Sequence, residues 1–147
     1  MASFTLEREV AASPEVVFDV LTDHRGYAEI TPVRRVELEA EGDPAPNGVG
    51  AIRVLHSVGP PLREEVIGFE RPGRFSYRLL SGAPVRDHVG TVSLEPGGAG
   101  TKVTYAVRTT PTLPVAGAAV VAVVKLAIKQ LLNGVVAESE RRAAAPA

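Results

Sequence analysis

The sequence predicts an α+β domain built on an antiparallel sheet. Three observations lead there. An alternating stretch followed by short helical segments opens the chain, about six strand-like runs separated by Gly/Pro turns fill its middle, and a long helical repeat closes it. Strands grouped between helices, rather than alternating with them, connect through hairpins and pair antiparallel. The chain has 147 residues, the size of one domain. Residues 1–142 are read as that domain and 143–147 as a frayed tail.

In the opening stretch Phe4, Leu6 and Val10 share one face and Thr5, Glu7 and Glu9 the other, as in a half-buried strand, with Arg8 breaking the apolar face. Ser13-Pro14-Glu15 then starts a helix. Ser13 can cap it, Pro14 suits its first position, and Glu15 lies near the positive end of its dipole. Val16, Val17, Val20 and Leu21 form its buried face, and Asp23 caps a second short helix ending before Pro32. Val36, Leu38 and Ala40 alternate with charged residues, and Gly42 to Gly48 is turn chemistry throughout. In the next strand Ile52, Val54, His56 and Val58 share a face. Arg71-Pro72-Gly73 and Pro96-Gly97-Gly98-Ala99-Gly100 join the following strands as hairpins. The last helix starts near Thr112 or Pro114 and runs to Arg142. Val120, Val124, Ala127, Leu131 and Val135 lie on its inner arc, and Lys125, Lys129 and Asn133 on the opposite side.

Composition narrows the function. Apolar residues make up 45% of the chain and charged ones 22%, enough for an ordinary core, and Trp is absent. The net charge is −1 and no Lys/Arg block exists, so nucleic acid is not an expected partner. With no Cys, disulfides, thiolate catalysis and zinc–thiolate sites fall away. Three scattered histidines show no metal-ligand spacing, and no Gly-rich phosphate loop or nucleophile elbow is present, so no metal and no cofactor is expected. The N-terminus lacks a signal-peptide pattern. The apolar run from Leu113 to Val124 is shorter than the roughly 20 residues of a membrane span. The protein is therefore expected to be cytoplasmic, without stable membrane insertion.

Several runs, in this order, resemble the START / polyketide-cyclase-like superfamily (SRPBCC, helix-grip, Bet v-like): Ala12 to Asp23, Arg63-Glu64-Glu65-Val66, Gly100 to Tyr105, and the long last helix. The resemblance implies a helix-grip fold, a curved sheet of about seven strands with two short helices after the first strand and a long C-terminal helix. It also implies a deep cavity between sheet and helix that holds lipids, polyketides or quinone-like molecules.

The residues proposed to line that cavity are Val54, His56, Tyr77, His88, Val103, Tyr105, Val124, Ala127 and Leu131, each on the apolar phase of its element. A cavity above roughly 300 Å³ is expected, and a core without one would count against ligand binding. His56, in register with Ile52 and Val54, is the central polar candidate, a ligand anchor or general base. Its bland alternative is a core or rim histidine bonded to the backbone. His88 shares a face with Gly90, Val92 and Leu94, whereas His24 is expected in solvent. The Tyr77 and Tyr105 hydroxyls either bond a ligand or reach the surface. Of Glu64 and Glu65 one should face inward. The pattern does not decide which, and Arg8, Arg78 or Arg108 would supply the cation. The catalytic candidates are His56, Glu65 and Tyr77.

These residues lead first to a binding or carrier protein for a small apolar molecule. The alternatives are a polyketide cyclase or dehydratase using acid–base residues of the cavity, and an interaction module with a vestigial cavity. Val121, Leu132 and Val136 widen the apolar arc of the last helix, which would serve a homodimer or a membrane-touching patch.

Overall fold

The computed structural model describes residues 1–145. The elements run β1 (Ala2–Val10), α1 (Pro14–Thr22), a 3-10 turn (His24–Gly26), α2 (Tyr27–Ile30), β2 (Arg35–Ala40), β3 (Ile52–His56), β4 (Leu62–Glu70), β5 (Arg74–Ser81), β6 (Val85–Gly97), β7 (Gly100–Pro111) and α3 (Gly117–Ala144). The seven strands form one antiparallel sheet in the order β1-β7-β6-β5-β4-β3-β2. From β2 to β7 each strand pairs with its neighbour in sequence. The stretch carrying α1 and α2 alone crosses from one sheet edge to the other.

This topology sorts the connections. The β3–β4, β5–β6 and β7–α3 links lie at one end of the sheet with the starts of β1 and β2. The β2–β3, β4–β5 and β6–β7 hairpins lie at the other.

The local signals explain most elements. Ser13 Oγ accepts from the Val16 amide at 3.4 Å, and α1 buries Val17, Phe18, Val20 and Leu21. The expected second helix divides into the 3-10 turn and α2, because Asp23 Oδ1 takes the Gly26 amide and tightens the chain there. The last helix begins later than expected. The Thr112 amide donates to Pro84 O at 2.9 Å, so the chain is still tied to the β5–β6 turn at that point, and helix starts only at Gly117. It ends at Ala144, inside the stretch 143–147 read as a tail, and residues 146–147 lie outside the described ones.

The face that α3 buries also differs from the expected arc. Ile128, Leu132, Val135 and Ser139 are buried, Val120, Val124, Leu131 and Val136 are partly buried, and Ala127 is largely exposed. Leu132, expected among the surplus outer residues, is a core residue. The first two-thirds of α3 is apolar on nearly every side, so periodicity leaves its rotation open. Contact with α2 helps set it. A Cβ at Gly134 would collide with the Ile30 carbonyl, so only glycine lets the two helices approach this closely.

Candidate ligand cavity

Between the sheet and α3 lies a cavity of about 140 Å³. Val33, Leu55, Leu62, Leu79, Ala83 and Val85 line it from the sheet side, and Val124, Ala127, Ile128 and Leu131 from α3. Most of these are only partly buried and sit at the end of the sheet that carries the β3–β4 and β5–β6 links, so the mouth is there. Arg53, Glu64, Tyr77, His88 and Tyr105 complete the lining and are all buried. The volume falls short of the expected 300 Å³, which weighs against the binding of a large ligand, and these five polar side chains occupy the deep end.

The deep end is organised around Arg53, which is 1% exposed. Arg53 and Glu64 are direct partners across β3 and β4, so both side chains project to the same face. Arg53 Nε donates to Glu64 Oε1 at 2.9 Å, and Nη2 approaches the same oxygen at 2.8 Å. Its Nη1 lies 3.0 Å from both His24 Nδ1 and the Tyr27 hydroxyl. The Tyr27 hydroxyl in turn donates to Leu21 O. The guanidinium carbon stands 4.9 Å from the Tyr77 ring centroid, 5.3 Å from that of Tyr27 and 5.5 Å from that of Phe75. Burial by itself would weaken this cation. The surrounding Tyr27 and Glu64, with Tyr77 and Tyr105, outweigh it and hold its pKa above the ordinary arginine value.

His24 is fully buried, not in solvent as expected. Its Nδ1 accepts from Arg53, so its proton resides on Nε2, which donates to Asn47 O at 3.3 Å. Desolvation, then the Arg53 charge, push its pKa well below 6.5, while the Asn47 contact opposes them. The folded ring is thus neutral where an unfolded one would bind a proton. Stability is complete above the unfolded value and is lost as pH falls below about 6.5, at up to about 1.4 kcal/mol per pH unit from this group. Urea midpoints measured between neutral and mildly acidic pH should fall more steeply for wild type than for His24→Gln. Equal slopes would show that His24 carries no part of the acid sensitivity.

Tyr77 and Tyr105 share a hydroxyl–hydroxyl hydrogen bond of 2.6 Å, buried and not at the surface. Burial raises both phenol pKa values, so both are neutral. One hydroxyl donates to the other, which leaves one phenolic proton available to a further acceptor. Tyr77 keeps its place because Gly90 faces it, where a Cβ would stand 2.5 Å from the ring. His88 is delivered by a break in β6. Register shifts between Arg86 and Val89, and Asp87 adopts a φ of 51°. His88 Nδ1 is buried without a partner, and burial lowers its pKa even though Glu64 pulls the other way.

The expected site residues therefore divide. Tyr77, His88, Tyr105, Val124, Ala127 and Leu131 line the cavity. Val103 is buried in the core beyond its lining. Val54 and His56 are on the other face of β3, where His56 Nε2 is 3.5 Å from Glu37 Oε1. The alternation of β3 holds, but the pattern Ala51, Arg53, Leu55 faces inward, because the charge on Arg53 is matched by Glu64 across the ladder. Glu64 is the inward carboxylate. Glu65 turns out and pairs with Arg78 at 2.6 Å. Arg8 and Arg108 do not reach Glu64 either, and Arg53, the cation that does, was not among those expected. Of the catalytic candidates only Tyr77 faces the cavity. The available signal for Arg53 was its position opposite Glu64 once the β3–β4 link is taken as a hairpin.

The family model described as "Polyketide cyclase / dehydrase and lipid transport" matches residues 1–140. No curated protein matches the sequence. Among solved structures, the di-domain ARO/CYC StfQ from the steffimycin biosynthetic pathway superposes with a TM-score of 0.79 at 17% identity, covering 97% of this chain and 52% of that one. A START superfamily protein from Mycobacterium smegmatis gives 0.72 at 18% identity over 93% and 97% of the two chains. The ginseng major latex-like protein 151 from Panax ginseng gives 0.76 at 14% identity over 98% of each. At these identities the likeness is one of fold.

Proposed function

The chain belongs to the polyketide cyclase / dehydrase and lipid transport family, and on that premise we propose that it binds and carries one small apolar molecule between its sheet and α3. The observation that supports this reading most is how little polarity the cavity leaves unspent. The deep charges are matched within the protein, and His88 Nδ1 is the one cavity-lining side-chain atom that is buried and unpartnered among the described residues. What remains for a ligand is apolar wall with a neutral imidazole and one phenolic proton. At about 140 Å³ the space suits a single ring, since an apolar cavity of about 150 Å³ takes benzene. A longer molecule would extend through the mouth.

The second reading is a cyclase or dehydratase. His88 and the Tyr77–Tyr105 pair favour it, because a neutral imidazole and a neutral phenol beside one cavity can exchange protons with a bound substrate. StfQ is an ARO/CYC, and its activity enters here only as this alternative.

The experiment is to extract the molecule carried by freshly purified protein and to measure its binding and turnover with His88→Phe. A carrier should lose affinity by about 1–3 kcal/mol, the cost of leaving a ligand polar group unpaired. A cyclase should lose turnover by about a hundredfold or more with little change in binding. If neither changes, His88 has no part in either function. If no molecule is extracted, the interaction module with a vestigial cavity gains.

A further inference from the structure

The net charge of −1 conceals a separation of charge along the sheet. Eight Lys and Arg side chains have no ion-pair partner among the described residues. Five of them, Arg34, Arg86, Arg108, Lys125 and Lys129, lie at the mouth end: before β2, at the start of β6, near the end of β7, and on the first half of α3, where Lys125 Nζ also stands 5.7 Å from the Phe4 ring centroid. Of the other three, Arg8 and Arg74 lie towards the opposite end and Arg25 in the 3-10 turn. Asp87 is the one unpaired carboxylate on the mouth-end segments. Glu9, Glu41, Asp43, Glu70 and Glu95, also unpaired, lie towards the opposite end.

The same end exposes apolar side chains from three separate segments. Val58 projects from the β3–β4 link, Leu113 and Val115 from the β7–α3 link, and Val123 and Leu126 from α3, with Val115 fully exposed. By length and composition α3 is apolar enough to cross a membrane, yet only 17% of its most apolar stretch is buried within the protein. The sheet therefore does not account for the apolar character of α3.

We propose that the mouth end docks on the surface of an anionic lipid bilayer, its apolar side chains entering the interface and its free cations meeting the phosphates. Charge complementarity selects this occupant. A second copy docked through the same face would bring the same cations against one another. A nucleic acid would satisfy the cations but give Val115 and Leu126 nothing to enter. Docked this way, the cavity mouth faces the layer, and an apolar molecule passes between the two without crossing bulk water. The proposal is independent of which molecule the cavity takes.

The test is co-sedimentation with vesicles of one part phosphatidylglycerol to two parts phosphatidylcholine, and with phosphatidylcholine alone. Two double variants, Val115→Ser/Leu126→Ser and Arg86→Gln/Lys125→Gln, change exposed or part-exposed side chains, and unchanged melting temperatures confirm that both fold. Wild type should bind the mixed vesicles at low salt, about tenfold or more tightly than either variant does and than it binds phosphatidylcholine alone. Binding should weaken as salt rises. Four results would overturn the proposal: no binding to the mixed vesicles, binding indifferent to both variants, equally tight binding of an oligonucleotide, or a wild-type dimer that Val115→Ser/Leu126→Ser dissociates.

Discussion

Replacing Arg53 by methionine is expected to lower folding stability by about 3–5 kcal/mol, read as a fall in the urea midpoint. Four polar contacts end on this guanidinium, and three aromatic rings stand around it. Methionine fills much of the space but leaves Glu64, 7% exposed, as a buried carboxylate without a cation. That uncompensated charge, more than the lost contacts, sets the size of the effect. Removing both charges together, Arg53→Met/Glu64→Leu, should therefore recover a substantial part of the loss, because neither ion then remains to be desolvated. A double variant as unstable as Arg53→Met would mean that the hydrogen bonds to His24 and Tyr27 matter more than the buried pair.

Leu132→Ala is expected to cost about 2–5 kcal/mol, whereas Leu126→Ala should stay within about 0.5 kcal/mol. Leu132 is 1% exposed and packed in the main core with Leu6, Phe18 and Val135. Leu126, six residues earlier on the same helix, is 56% exposed. The two residues are chemically identical and sit in similar apolar sequence, so the difference measures only the rotation of α3 about its axis. Chemical denaturation of the two variants settles that rotation. Equal losses would mean that α3 buries a different face.

Those two sites also mark where the sequence stops being informative. Caps, turn residues and alternation place β1, α1 and the hairpins, because each of these is a local property of a few residues. The order of elements then leads to the sheet and the long helix. The rotation of α3 was not legible because its apolar residues are not confined to one face, and the close approach of Gly134 to Ile30 is a contact between distant segments. The inward face of β3 was not legible for a related reason. Hydrophobicity alone puts Ile52, Val54 and His56 inside. Burying Arg53 becomes favourable only with Glu64 opposite it and His24 and Tyr27 above, and those partners come from three other elements. His24 was misplaced with it, since a histidine in a short polar turn looks solvated until its partner is known. Tyr77, His88 and Tyr105 were legible because each sits in a run whose alternate residues are apolar or small on the same side.

A plug at the cavity mouth should exclude the one small apolar molecule that the cavity holds. Ala127 lines the cavity from α3 and is itself largely exposed, so Ala127→Trp can project an indole into the opening at little cost to the core. Native mass spectrometry of wild type and Ala127→Trp, each incubated with a mixture of one-ring and two-ring phenols, reads occupancy per chain. One adduct is expected on each wild-type chain, selected from the mixture by ring size, and none on Ala127→Trp. A wild type that takes up nothing, or a plugged variant that takes up as much as wild type, would contradict it.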